Sequence, residues 1–264
     1  MSVQGYWSDL PSPAFEALPG DAVAVLPLGA TEQHGPHLPL SVDSTLIDGV
    51  TARMLGHLAP EQTVLILPTL TVTKSDEHRA FPGTLTLSAE TLLAVLREIG
   101  ASVARAGVQR LVLFNGHGGN SALLQVAARE LRISASMIVA SCSWGGFTEW
   151  QRHYDPADYA HDIHAGDSET SAMLALRPGR VNMEKAQDFR PAMSDWDREF
   201  PRIGMAGKPA NPGWLAQDLH PMGACGNAAA ANAEKGEALI ESAARNFADF
   251  LSEIARFDHR RPAQ

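Results

Sequence analysis

The sequence predicts a three-layer α/β sandwich with a mainly parallel sheet, on three observations. Short apolar runs recur along the first half of the chain. Each run is apolar throughout rather than alternating, and a longer helical pattern separates one from the next. A strand that is apolar on both faces is covered on both faces, as a parallel strand between two helical layers is. Regular alternation of strand and helix then gives the α/β class.

The predicted strands are Ala22–Leu28 (AVAVLPL), Val64–Leu67 (VLIL), Leu111–Phe114 (LVLF) and Met137–Ala140 (MIVA). Helices are predicted over Thr45–Leu58, Ala89–Arg105 and Ser121–Leu131. Ser88 suits the N-cap of the second, and Glu90 stands where a helix N-terminus favours negative charge. A further helix follows HDIHAGDSETS, with Met173, Leu174 and Leu176 on its apolar face and Asp167 or Ser168 as its cap. Between about Phe189 and Gly226 the pattern breaks. Pro191, Pro201, Pro209, Pro212 and Pro221, together with Trp196 and Trp214, mark a long irregular excursion there. Loops of such length in compact domains are usually functional. From Ala228 to Phe257 the residues Ile240, Ala244, Phe247, Leu251 and Ile254 recur at helical spacing and predict a long amphipathic closing helix. No repeat or linker divides the chain, so residues 1–264 are read as one domain.

Composition narrows the function classes. The 264 residues include 21 Lys plus Arg against 30 Asp plus Glu, a formal charge of −9, and 45% are hydrophobic. High apolar content with modest charge excludes a disordered chain. An acidic balance without a Lys/Arg-rich run argues against a nucleic-acid partner. No stretch approaches the roughly 18–20 apolar residues that span a bilayer. The start, MSVQGYWSDL, lacks the basic and apolar regions of a signal peptide. Two cysteines, Cys142 and Cys225, make no disulfide framework. The expectation is a soluble cytoplasmic protein with no membrane partner.

Three clusters carry chemistry. The first, LGATEQHGPHLPLSVD over Leu28–Asp43, follows the first strand at the carboxyl edge where open parallel sheets place ligands. Glu32, His34, His37 and Asp43 fall within 12 residues, and Pro36 and Pro39 exclude a regular helix. In an extended segment residues i and i+2 point the same way, so Glu32 and His34 can reach one centre. Carboxylate with imidazole is the ligand mix that zinc, manganese or iron(II) accepts. The second cluster, FNGHGGNS over Phe114–Ser121, lacks both common phosphate-loop templates, and a phosphate site has no need of His117. The third, HDIHAGDSETS over His161–Ser171, has capping residues in Asp167 and Ser168, but capping does not account for His164 and only partly for Glu169. Two weaker segments, with Ser75 and His78 in one and His220 in the other, read as turn chemistry from spacing alone. The set is large enough for two divalent ions about 3.5–4 Å apart across a bridging carboxylate, an arrangement that makes hydroxide near neutral pH.

The sequence resembles the creatininase family in LPLGATEQHGPHLPLSVDS, EHRAFPGTLTLS, NGHGGN, HAGDSETS and GACGNAAAANAEKG, which occur in the family's order from about residue 24 to residue 237. The resemblance implies an amidohydrolase with two divalent ions per chain, zinc foremost, with manganese or iron at one site. A metal-bridging hydroxide would cleave the C–N bond of a small amide. By this resemblance Asp43 is the bridge, Glu32 and His117 hold one ion, and His34 and Glu169 hold the other. His164 is implied as the acid/base of C–N cleavage. Ser75, His78, Gly118 and Trp214 are implied on the substrate side. The Pro/Trp-rich excursion, with Trp214 and His220, would form a lid or subunit contact in a homo-oligomer, a hexamer by family habit. The alternatives are a formamide deformylase or peptidase on the same centre and, in a different class, a non-catalytic metal-binding protein. The sequence also departs from creatininase, which has Tyr-Glu after the loop histidine and a tryptophan ahead of HAG. Here those positions are Gly118, Gly119 and Ala160. The glycines are expected to widen the pocket floor, disfavouring creatinine and favouring a bulkier or differently shaped amide such as a lactam.

Overall fold

All five strands of the main sheet run parallel: β1 (Gln4–Tyr6), β2 (Val23–Leu28), β3 (Val64–Ile66), β4 (Arg110–Asn115) and β5 (Ile138–Ser143), in the order β1-β3-β2-β4-β5. This computed structural model describes residues 2–205 and 208–259; residues 206–207 of the predicted excursion and both chain ends lie outside the description. Eight α-helices accompany the strands among the described residues: α1 (Val42–Met54), α2 (Ala89–Arg105), α3 (Ser121–Ala135), α4 (Pro156–Tyr159), α5 (Asp167–Leu176), α6 (Met193–Glu199), α7 (Ala216–Leu219) and α8 (Ala233–Arg256).

Alternate residues of each central strand feed two separate cores. Val23, Val25, Val112 and Phe114 face α1, α5 and α8, where they meet Leu46, Ile47, Met173, Leu239 and Phe247. Ala24, Leu26, Leu111 and Leu113 face α2 and α3, where they meet Leu92, Leu96, Leu124 and Leu131. Phe114 stacks on Phe247 with ring centroids 3.8 Å apart, which locks the closing helix to the sheet. Burying each such side chain contributes about 1.5–3 kcal/mol, so both faces of the sheet are strongly held. The three-layer α/β/α architecture is the predicted one.

Several elements differ from expectation. β1 is a half-exposed edge strand of sequence QGY with no apolar run to announce it. α1 begins at Val42, so Asp43 lies in its first turn rather than before it. Neither Asp167 nor Ser168 caps α5. The cap position is Gly166, and Asp162 accepts from the Ser168 backbone N–H at 2.8 Å. Residues 228–230 form a 3₁₀ turn, and the closing helix starts at Ala233 with Asn232 accepting from the Lys235 N–H. The excursion is only partly irregular: it contains α6 and α7, and its edges pair as a short antiparallel ladder of β6 (Asp188–Phe189) and β7 (Gly226–Asn227). Among the described residues no helix is long and apolar enough to cross a membrane.

The topology sets the site. After β2 the chain leaves over one face through α1; after β4 it leaves over the other through α3. Adjacent strands whose connections part in this way open a crevice at their carboxyl ends.

Candidate metal centre

The β2 end delivers Glu32 and His34, the first turn of α1 delivers Asp43, and the β4 end delivers His117. Asp43 gets between the two strand ends because Gly116 carries no side chain: a Cβ there would stand 2.7 Å from the Asp43 carbonyl oxygen. His164 comes from the turn ahead of α5, and Glu169 from the first turn of that helix. Ala165, between them, has φ 53°, and its N–H donates to Glu169 Oε2 at 2.6 Å. A non-glycine residue in that region is strained and is held there by its surroundings.

These groups form two trios of potential metal ligands, Glu32–Asp43–His117 and His34–Asp43–Glu169, each with its ligand atoms within 4.8 Å of one another. Asp43 belongs to both. Its Oδ1 lies 3.5 Å from His34 Nε2 and its Oδ2 lies 3.9 Å from His117 Nδ1. Glu32 Oε1 lies 3.2 Å from His117 Nδ1, and Glu169 Oε2 lies 3.7 Å from His34 Nε2. In a third combination, ligand atoms of Glu32, His34 and His164 likewise lie within 4.8 Å of one another.

The imidazoles are oriented from behind. His34 Nδ1 donates to the Glu32 carbonyl at 3.0 Å, which turns Nε2 to the centre. His117 Nε2 donates to the Lys74 carbonyl at 2.9 Å, which turns Nδ1 to the centre. Backbone carbonyls of this kind fix the ring and tautomer of metal-binding histidines.

The donor set fits metal ions. Glu32 Oε1 and Oε2, His34 Nε2 and Asp43 Oδ2 are buried without a hydrogen-bond partner. Among the described residues, the ion-pair partners of Glu32, Asp43 and Glu169 are all histidines. Three converging carboxylates, two of them fully buried, are costly without compensating cations.

Electrostatics follow from this crowding. Burial pushes the Glu32 carboxyl up, but His117, with His164 and His78, overrides it and holds the group well below the usual carboxylate range. Burial pulls His34 down, but Asp43, then Glu169 and Glu32, push it up to about 9. Glu169 is pushed up to about 7 by burial and Asp43, against the attraction of His34. His164 lies between His34 and His78, its ring tilted against both with centroids 4.2 and 4.3 Å away. Burial and these two neighbours hold it well below the usual histidine range.

Other expected positions fall differently. His78 is buried with Nε2 3.5 Å from Glu32 Oε1, facing the centre. Ser75 is buried behind the His117 ring, 3.5 Å from Nε2, on the side of the ring away from Glu32 and Asp43. Trp214 is half-buried on the approach to α7 and, among the described residues, forms no ring pair or hydrogen bond with the cluster. Gly118 is exposed and opens space, but Gly119 does not widen the floor, because the Glu77 carboxylate fills the space beside it. His37 stands apart from the trios: its Nε2 pairs with Thr170 Oγ1 at 2.9 Å and its ring stacks on Phe189. Cys142 and Cys225 are free thiols, both pushed up to about 12 by burial.

Two site-adjacent residues lie in the quoted motifs but were not singled out by spacing. Glu77 Oε1 lies 3.5 Å from His117 Nε2, beside its carbonyl partner. Gln33 spans His78, His164 and the loop at Gly223. Their partners are distant in sequence, so no local spacing reveals them.

The architecture and the paired trios define a class: an α/β protein with a buried carboxylate–histidine cluster, fit to hold metal, at a parallel-sheet edge. The family model described as creatininase, creatinine amidohydrolase, matches residues 8–251, and the chain belongs to the creatininase family. It is 34% identical over 250 residues to a creatinine amidohydrolase of Pseudomonas putida, covering 89% of this chain and 90% of that protein. It is 32% identical over 239 residues to a mycofactocin precursor peptide peptidase of Mycobacterium ulcerans, covering 88% of this chain and 84% of that one. A crystal structure of creatinine amidohydrolase (creatininase) superposes with TM-score 0.69 at 30% identity, covering 96% of this chain and 98% of that one. Solved creatininases of similar likeness include a Zn-Zn form and a manganese form. The fold and these relatives make the chain a hydrolase of carbon–nitrogen bonds.

Proposed function

We propose that this chain is a two-metal amidohydrolase acting on a small, non-creatinine amide. The observation that carries the reading is the pair of buried trios sharing Asp43. Asp43 would serve both ions, with Glu32 and His117 holding one and His34 and Glu169 holding the other. Two divalent ions held there, zinc or manganese as in the solved creatininases, would polarise an amide carbonyl and supply hydroxide near neutral pH.

His164 supplies the proton transfers. Its Nε2 donates to the Gln33 carbonyl at 2.8 Å, so its Nδ1 is the atom that faces Glu32 Oε1, at 3.7 Å. A ring held below the usual histidine range starts neutral, with Nδ1 free. It therefore takes a proton from the attacking water first and hands it to the departing nitrogen second.

The substrate expectation rests on Gly118 and Ala160, where creatininase carries aromatic rings. An aromatic wall contributes about 0.5–1.5 kcal/mol beyond its buried area, so its absence weakens the hold on a flat ring. A homo-oligomer, a hexamer by family resemblance, is part of this reading. Exposed Phe200, Ile203, Leu215 and Met222 on and beside the excursion support it.

The test is a panel of creatinine, lactams, formamides and short peptides, offered to protein stripped by chelator and then reloaded with zinc or manganese. Hydrolysis of a non-creatinine amide that appears only on reloading is the expected result. Stoichiometric metal binding without turnover of any amide would favour the non-catalytic binder.

A further inference from the structure

The side chain of Gln33, flanked in sequence by Glu32 and His34, has its amide orientation fixed. Its Oε1 accepts from the Gly35 N–H at 2.9 Å. Its Nε2 therefore points the other way, and donates to the Gly223 carbonyl at 2.9 Å and to His78 Nδ1 at 2.7 Å. Those two bonds use both amide hydrogens. His164 Nε2, 3.2 Å from the same nitrogen, receives none, and its own hydrogen goes to the Gln33 backbone carbonyl at 2.8 Å.

One residue thus imposes opposite tautomers on two adjacent rings. His78 accepts at Nδ1, so its hydrogen is on Nε2, the atom that faces Glu32 Oε1 at 3.5 Å. His164 donates at Nε2, so its Nδ1 faces the same oxygen bare, at 3.7 Å. A nitrogen that carries hydrogen is not a metal ligand but a hydrogen-bond donor.

We propose that Gln33 is a positioning residue that makes His78 a neutral N–H donor to the substrate carbonyl oxygen, beside His164 as the proton acceptor. The proposal rests on the amidohydrolase reading for its substrate, but its tautomer content stands apart from turnover. An apolar or acceptor group at position 33 would leave the His78 proton free to move to Nδ1, and the donor facing the substrate would be lost.

The experiment is solid-state ¹⁵N NMR of histidine-labelled, zinc-loaded protein, with His78→Asn used to assign the His78 signals. Wild type should show His78 protonated at Nε2 with a bare Nδ1. Gln33→Glu, nearly isosteric but accepting where the amide donates, should place hydrogen on Nδ1; Gln33→Met should give a mixture of tautomers. Zinc content should stay at the wild-type value in both. With an amide found to be hydrolysed, Gln33→Glu should lower kcat about 10²–10³-fold, the loss expected for one oxyanion donor, with KM within about threefold. A bare or metal-shifted His78 Nε2 in wild type would overturn the proposal, and so would an unchanged His78 tautomer in both variants. If no amide is turned over, the functional reading fails while the NMR result still decides the tautomer.

Discussion

The Glu77 carboxylate occupies the space that a side chain on Gly119 would take: a Cβ there would overlap both Glu77 Oε1 and His117 Nε2. The glycine thereby lets Glu77 approach the rear of a proposed metal-binding histidine, to 3.5 Å. Losing such a supporting partner typically lowers metal affinity about 10–100-fold. Zinc titrations of Gly119→Ala and Glu77→Ala should show losses of similar size, and the double variant should lose no more than either. Additive losses would mean that the two residues act separately.

Metal binding should release protons. His34 is pushed up to about 9 in the metal-free centre, so it is protonated from acid up to that pH. A metal must displace that proton, because only the neutral ring is a ligand. Zinc affinity should therefore rise with pH up to about 9. Calorimetry near pH 7 in buffers of different ionisation enthalpy should register proton release. Heats independent of the buffer would contradict the assignment of His34.

His164→Ala should keep the metals and lower turnover by about 10²–10⁴-fold, the range for losing a general acid/base. The structure also permits a Glu32–His34–His164 combination, so the metal count of this variant is informative. Loss of an ion would move His164 into the ligand set and remove its proton-transfer role.

Creatinine should be a poor substrate, with kcat/KM below the efficient range of about 10⁴ M⁻¹s⁻¹. Steady-state kinetics at or above that value would show that the aromatic positions replaced by Gly118 and Ala160 are dispensable.

What could be read in the sequence and what could not divide along physical lines. The four apolar strands were legible because burial on both faces leaves a local signature, whereas the edge strand β1 has only one strand neighbour and a polar, half-exposed sequence. Glu32, His34, Asp43 and His117 stood out because strand ends at a sheet edge gather the residues that follow them, and the structure brings these four together. The Asp162 cap, the Gln33 amide and the reach of Glu77 depend on where a loop folds back. No period in the chain encodes that. Trp214 illustrates the converse: the family resemblance implied it on the substrate side, and the fold gives it no polar or ring contact with the cluster among the described residues.

The most direct test is the metal content of purified wild type, Asp43→Ala and Glu32→Ala, each saturated with zinc and freed of excess. The account predicts two ions per chain in wild type and loss of both when Asp43, the residue common to the two trios, is removed. Glu32→Ala should lose one. An Asp43→Ala protein that keeps two ions and its activity would contradict the shared-carboxylate centre.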